Sequence, residues 1–149
     1  MIHRPLNVLV VEDEAIVALE LELAVQDAGH LVAGVAGDLQ EALDVAGDVE
    51  VDLALVDVNL RDGRTGPEIA RRLTQEHGAL VMFLTANPDL APRCDALGVY
   101  PKPYDVQQVM ELITFAAELR LNNRLGRPPK RFQLADWAAP GNDASAPPG

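Results

Sequence analysis

Short, uniformly apolar runs alternate along the chain with stretches whose apolar residues recur at helical spacing. Asn7–Val11 reads Asn-Val-Leu-Val-Val, the β-branched run expected of a strand buried on both faces. It stops at Glu12-Asp13-Glu14. From Ala15 to Ala28, Ile16, Leu19 and Leu23 form an apolar helical stripe, and Glu20, Glu22, Gln26 and Asp27 a polar one. Gly29 is placed to end this helix. Leu31–Ala36 predicts a second strand, and Leu39–Ala46 a short helix ended by Gly47. Leu53–Val56 predicts a third strand that closes on Asp57. Arg61 to Gly66 is a loop, and Pro67 opens a helix to about Gln75 with His77-Gly78 as its end. Leu80–Leu84 predicts a fourth strand closing on Thr85. Pro88 predicts the start of a helix that reaches Leu97 and stops at Gly98. Val99–Tyr100 forms a short fifth strand before Lys102-Pro103. Asp105 can cap a last helix running to about Leu121, with Val106, Val109 and Ile113 on one side.

Strands alternating with helices imply an α/β fold, a parallel sheet with helices on both faces. Right-handed crossovers leave few topologies. In such sheets the chemistry lies at the carboxyl ends of the strands, near the switch in strand order. Composition narrows the setting. The chain has 149 residues, 48% of them apolar and 23% charged, as in ordinary soluble domains. Its longest apolar run, Ala79–Leu84, is far shorter than the roughly 20 residues that span a bilayer. No basic start followed by an apolar stretch and a small-residue cleavage site precedes Val8, so a cytoplasmic setting is expected. The single Cys94 excludes an internal disulfide. His3, His30 and His77 have no ligand spacing. The net charge of −11 argues against the whole domain binding nucleic acid or an anionic membrane.

The charge is uneven. Residues 1–119 carry 7 of the 12 basic and 21 of the 23 acidic side chains, whereas all five remaining bases fall between Arg120 and Arg131. The segment 122–149 is basic, then rich in Pro, Ala and Gly, and is expected to be a flexible tail after a domain covering 1–121. Within it, Leu125-Gly126-Arg127-Pro128-Pro129-Lys130-Arg131 is either a solvated linker, a basic arm for an acidic surface, or a minor-groove contact. Phe132, Leu134 and Trp137 are a modest apolar set that can anchor the tail.

The strand ends carry the candidate chemistry. Glu12 and Asp13 follow the first strand, Asp57 the third, Thr85 the fourth and Lys102 the fifth. Carboxylates within about 4 Å of one another would repel by roughly 4 kcal/mol per pair at an effective dielectric near 20. The hard, oxygen-seeking cation that offsets this is Mg²⁺, which takes one or two carboxylates, several waters and phosphate oxygens. Carboxylates, a divalent cation, a hydroxyl and a lysine suit a phosphoryl group. The cation and Lys102 neutralise its oxygens, Thr85 donates a hydrogen bond, and one carboxylate attacks phosphorus. Asp57 is the most central and has no adjacent acid, which makes it the expected nucleophile.

Val-Val-Glu-Asp-Glu at 10–14, Leu-Val-Asp-Val-Asn at 55–59, Phe-Leu-Thr-Ala at 83–86 and Lys-Pro-Tyr at 102–104 resemble the receiver domains of two-component response regulators. The resemblance covers about residues 6–121 and looks like the stand-alone, single-domain type found in alphaproteobacteria. It implies a (βα)₅ doubly wound, five-stranded sheet in the flavodoxin-like order 2-1-3-4-5. It implies that Asp57 accepts a phosphoryl group from a histidine kinase or phosphotransfer protein. Asp13 would hold Mg²⁺ directly, Glu12 through water, and the Asn59 backbone carbonyl would complete the protein's share. Thr85 would be the switch hydroxyl and Lys102 the phosphoryl partner, with a cis bond to Pro103. Phosphorylation would draw Thr85 and Lys102 inward and shift the face made by the fourth helix, fifth strand and fifth helix. Output would pass to a downstream protein or along a phosphorelay, with no nucleic acid or membrane involved.

The sequence departs from the pattern in places. The aromatic residue common three places before the lysine is Val99 here, with Tyr100 one place late, so switching must be propagated differently. Pro101 weakens the fifth strand, which an edge strand tolerates. Arg61 stands where Pro is common four places after the acceptor, and the glycine opening the next helix, Gly66, is one place late. Asn59 and Asn87 occupy the positions that tune phosphoryl lifetime in the family. Two rival functions are a haloacid-dehalogenase-like phosphohydrolase and a DNA-associated regulator using the basic tail. The first needs a second Asp two residues after the nucleophile, where this chain has Asn59.

Overall fold

The structure, a computed structural model, describes residues 3–93 and 95–138. Five strands and four α-helices follow in chain order among the described residues, one helix fewer than the expected (βα)₅: β1 (Asn7–Val11), α1 (Ala15–Asp27), β2 (Leu31–Ala36), α2 (Leu39–Asp48), β3 (Leu53–Val56), α3 (Gly66–His77), β4 (Leu80–Thr85), β5 (Gly98–Pro101) and α4 (Val106–Asn122). A short strand, β6 (Gln133–Leu134), comes last. The sheet order is β2-β1-β3-β4-β5-β6. The first five strands are parallel in the order expected from sequence. β6 adds an antiparallel edge to β5.

Alternation along the strands sorts the core into two layers. Val8, Val10, Leu53, Leu55, Met82 and Leu84 face α1 and α4. Leu9, Val11, Ala54, Val56, Val81 and Phe83 face α2 and α3. Because every side chain of β1 after Asn7 and of β3 is buried, the polar residues that follow these strands are delivered to one rim of the sheet. The helices start and stop where local chemistry directs. Asp38 accepts the Glu41 N–H to cap α2, Gly78 in a left-handed conformation ends α3, and Asp105 with Gln108 forms a reciprocal capping box on α4.

Several expectations are corrected. α1 does not bury the stripe of Ile16, Leu19 and Leu23, which are 76%, 55% and 44% exposed. It packs through Ala18, Leu21, Ala24 and Val25. Both stripes are apolar, and the small alanines on the second let the helix approach the sheet closely. α2 runs through Gly47 to Asp48 instead of ending at Gly47. Among the described residues of the helix expected over 88–97, only Pro88–Leu90 is helical, as a single 3₁₀ turn. Pro92 lies four residues after Pro88, so it has no N–H for that carbonyl and its ring would collide with it. Cys94, expected within that helix, lies outside the described residues.

The described part of the tail docks on the domain through the expected apolar set, Phe132, Leu134 and Trp137. Residues 123–138 are not a free segment: β6 pairs with Gly98 and Val99, and Ala135 N–H donates to the Leu97 carbonyl at 2.8 Å. Phe132 and Ala135 are buried, with Phe132 edge-on to Phe115 at 5.7 Å. The Trp137 indole N–H donates to the carbonyls of Arg93 and Ala96, at 3.0 and 2.9 Å. A helix over 88–97 would have used such carbonyls itself. Residues 139–149 lie outside the described residues. No helix among the described residues is long and apolar enough to cross a membrane.

Candidate functional site

Five of the expected site residues follow strand ends on the same rim, and the structure joins three of them directly. The Lys102 ammonium lies 2.9 Å from Asp57 Oδ2 and 3.2 Å from Glu12 Oε2. It therefore bridges residues 90 and 45 positions away in the chain. Asp57 and Glu12 are buried, while Lys102 keeps 19% of its side chain exposed. The remaining carboxylate oxygens have backbone donors. Val58 N–H donates to Asp57 Oδ1 at 2.7 Å, and Glu14 N–H donates to Glu12 Oε1 at 3.1 Å. Each acid is thus held between a backbone N–H and one shared cation, which fixes both rotamers.

Thr85 is fully buried at the end of β4. Its Oγ1 accepts the Asn87 N–H at 3.1 Å, a bond that leaves the hydroxyl proton uncommitted. Its carbonyl accepts the Lys102 N–H at 2.9 Å, linking β4 to β5 where Lys102 leaves the sheet. The Lys102–Pro103 bond is cis. Asp13 and Asn59 stand exposed just beyond β1 and β3.

The electrostatics follow from burial and the bridge. Burial pushes Glu12 up to about 7, against the opposing pull of the Glu14 N–H and Lys102 and with help from the Asp57 charge. Burial works against the Lys102 charge, but its hydrogen bond to Asp57 and the charges of Asp57 and Glu12 outweigh it and raise its pKa. Lys102 therefore stays cationic. Tyr104 packs beside it with a buried hydroxyl that has no hydrogen-bond partner, and burial raises that phenol's pKa.

Two supports were visible in the sequence only as departures from a pattern. A side chain on Gly66 would place its Cβ 2.1 Å from the Asp57 carbonyl oxygen and 2.7 Å from Val58 Cα. Glycine is required because the start of α3 rests on the backbone of Asp57 and Val58. Arg61 donates to Asp38 at 3.1 Å and pairs with Glu41, tying the loop after β3 to the start of α2. The shifted aromatic also has a structural consequence. Val99 is buried on the α2–α3 side and Tyr100 on the α1–α4 side, so moving the ring one place moved it to the opposite face of the sheet. Pro101 is tolerated because β6 pairs only with Gly98 and Val99 and stops short of it.

The donors expected from the sequence, Glu12, Asp13, Asp57 and the Asn59 carbonyl, are hard oxygen throughout, a chemistry that suits Mg²⁺ and not a soft metal. Among the described residues, no group of three or more Asp, Glu, His or Cys side chains is placed so that it could hold a metal ion by itself. Mg²⁺ keeps several waters and is bound through one or two carboxylates, so the carboxylates of Glu12 and Asp57 fit that ion in kind and number.

Comparison with known proteins places the site in context. The family model for the response regulator receiver domain matches residues 8–114. The phyllosphere-induced regulator PhyR of Methylorubrum extorquens is 32% identical over 114 residues, 74% of this chain and 43% of that protein. The transcriptional regulatory protein PdtaR of Mycobacterium tuberculosis is 31% identical over 117 residues, 75% of this chain and 57% of that protein. The chain thus spans about half the length of these curated relatives. Among solved structures, the receiver domain of Erythrobacter litoralis PhyR superposes with a TM-score of 0.72 at 28% identity, covering 78% of this chain and 93% of that one.

Proposed function

This chain belongs to the response regulator receiver domain family, and on that premise we propose that it is a phospho-accepting signalling protein whose acceptor is Asp57. The observation that carries the reading is the Lys102 bridge. One ammonium touches the proposed acceptor and the neighbouring Glu12 at the carboxyl rim of the sheet. Only a group bearing several anionic oxygens can use a lysine, an uncommitted hydroxyl and a hard-cation site together.

In the proposed reaction a carboxylate oxygen of Asp57 forms a bond to phosphorus. The donor's phosphorus–nitrogen or phosphorus–oxygen bond breaks, and its electron pair leaves with the donor's imidazole or carboxylate. Glu12, Asp13, Asp57 and the Asn59 carbonyl are the residues that would hold Mg²⁺, which neutralises phosphoryl oxygens when bound. Lys102 turns from the bare carboxylate to a phosphoryl oxygen, and Thr85 Oγ1 offers its free proton to another. The natural donor is a histidine kinase or phosphotransfer protein. The exposed stripe of Ile16, Leu19 and Leu23 on α1 supports a protein partner, since it begins four residues after Glu12 on the same rim. Output passes to a downstream protein or through a relay, and the site performs no general catalysis.

The test is Mg²⁺-dependent labelling of the full chain with acetyl phosphate. Asp57→Asn should abolish an acid-stable, hydroxylamine-sensitive label. A label that persists at another residue, or that forms equally well in excess chelator, would overturn the assignment.

A further inference from the structure

The tail is built into the same rim. Arg131 Nη1 donates to the Pro103 carbonyl at 2.9 Å and Nη2 donates to the Pro101 carbonyl at 3.1 Å. These are the two residues that flank Lys102. The guanidinium also lies over the Tyr100 ring, 5.3 Å from its centre. Arg131 holds a left-handed backbone, φ 71°. A non-glycine residue in that region costs of order 1 kcal/mol and persists only where surrounding contacts over-determine it. The contacts here are those two carbonyls and the ring.

The dock has also been shaped for the tail. A Cβ on Gly98 would lie 2.4 Å from the Gln133 carbonyl oxygen and 2.5 Å from the Phe132 ring. Any side chain at 98 would push the tail off β5. From Arg131 the chain continues through buried Phe132, β6 and Ala135 to Trp137, whose indole closes the carbonyls of Arg93 and Ala96. One continuous path therefore runs from Asp57 to Lys102, to the carbonyls on either side of it, to Arg131, and on to β6 and Trp137.

We propose that residues 131–137 form a strap whose hold on β5 depends on the state of Asp57, with Arg131 as the positioning residue that senses Lys102. This rests on the phospho-acceptor reading above. While Asp57 is bare, Lys102 reaches its carboxylate at 2.9 Å and the Pro101 and Pro103 carbonyls stand where one planar guanidinium can span them. A phosphoryl group is larger than the carboxylate and takes Lys102 to a new oxygen. Thr85 turns toward the same group, and because its carbonyl holds the Lys102 N–H at 2.9 Å, movement at the end of β4 passes to the backbone on either side of Lys102. A two-pronged contact tolerates little relative movement of its acceptors, so the strap loosens. The uncovered edge of β5 and the Tyr100 face then become available, which supplies a route for the signal that the buried Val99 cannot.

Trp137 is the only tryptophan in the chain, so its emission reports the strap directly. The full-length protein is titrated with beryllofluoride and Mg²⁺, a non-transferable mimic of the phosphoryl group. Fluorine NMR reads occupancy of the site, while Trp137 emission and hydrogen exchange at Ala135 N–H read the strap. The expected result is a bound-fluoride signal, a red shift of Trp137, and protection at Ala135 falling about tenfold, within the usual range of coupling between sites. Arg131→Gln should bind fluoride with Trp137 and Ala135 no longer responding to it. Bound fluoride in the wild type with unchanged or greater protection overturns the strap. A response in Arg131→Gln equal to the wild type overturns the role of Arg131. Absence of bound fluoride instead overturns the acceptor reading itself, so the two failures are distinguishable.

Discussion

Gly66 rests on the backbone of Asp57, with the position of its missing Cβ 2.1 Å from the Asp57 carbonyl oxygen. Its own N–H donates to the Val58 carbonyl at 3.1 Å. Helix α3 thus begins in contact with the proposed acceptor, and the contact is between main chains, which have no rotamer to give. Gly66→Ala should destabilise the protein by about 1–3 kcal/mol, the usual cost of overpacking. It should also slow acetyl phosphate labelling, because the relief available is movement of the Asp57–Val58 peptide. Urea unfolding and the labelling rate measure the two effects. A stable Gly66→Ala with unchanged labelling would show that the contact relaxes without touching the site.

Removing the shared cation should be costly in a specific way. In Lys102→Met, buried Glu12 and Asp57 face each other without the ammonium that joins them. Breaking a buried ion pair costs about 3–5 kcal/mol, and the partial exposure of Lys102 places this case near the lower end. Mg²⁺ should restore part of that loss, since a ligand that binds only the folded state stabilises it by about 2.7 kcal/mol at a hundred times its dissociation constant. The rise in melting temperature on adding Mg²⁺ should be larger for Lys102→Met than for the wild type. Equal shifts would show that the ion does not sit against these two carboxylates.

Acid should unfold the protein through a cluster at the opposite end of the sheet. Buried Asp52 is penalised by desolvation, but Arg4, the Asn7 N–H and Arg120 outweigh this and hold it below its ordinary value of 3.8. Burial lowers His30 below 6.5, and its Nδ1 must be unprotonated to accept the Leu6 N–H at 2.9 Å. Both groups have folded values beneath their unfolded ones. Each therefore contributes stability that is complete above its unfolded value and is lost as pH falls through the folded value. In a Glu12→Gln background, which removes the opposing gain in stability that Glu12, raised to about 7 by burial, brings as pH falls, urea midpoints measured against pH should decline first below about 6.5 and again below about 3.8. His30→Gln should remove the first decline and Asp52→Asn the second.

The cap of α4 is a smaller and cleaner test. Asp105 accepts the Gln108 N–H at 2.8 Å and Gln108 returns a side-chain acceptor to the Asp105 N–H at 2.9 Å. Asp105→Ala should cost about 1 kcal/mol. Acetyl phosphate labelling should stay at the wild-type rate, and a slower rate would show that the cap also positions Lys102, three residues earlier.

The rim of the sheet was legible in the sequence because a parallel sheet delivers its strand-end residues to one side, whatever the loops do. Residues 12, 57, 85 and 102 needed only the strand boundaries to be placed. Three other features were not legible. The stretch 88–97 has helical composition, but Pro88 and Pro92 at a four-residue interval defeat the hydrogen bonds that composition suggests. β6 is two residues long and carries no period of its own; its dock depends on the space left by Gly98, a property of the folded surface. α1 has apolar residues on both sides, so periodicity identified the helix without identifying its buried face.

That misassigned face leads to the last prediction. Ile16, Leu19 and Leu23 present an open apolar stripe that starts near the rim bearing Asp57 and runs along α1, bordered by Glu20, Glu22 and Asp27. A large phosphodonor must bring its phosphorylated histidine to Asp57 and rest on what surrounds it, whereas acetyl phosphate needs only the pocket. Leu19→Ser removes apolar surface that the fold itself leaves in water, so the unfolding midpoint should barely move. Phosphotransfer from a cognate histidine kinase or phosphotransfer protein should fall by about tenfold, the 1.4 kcal/mol or so of a side chain desolvated at an interface. Labelling by acetyl phosphate should stay at the wild-type rate. Equal losses with both donors would mean that Leu19 supports the pocket from within, and no loss with either would place the partner on another face of the sheet.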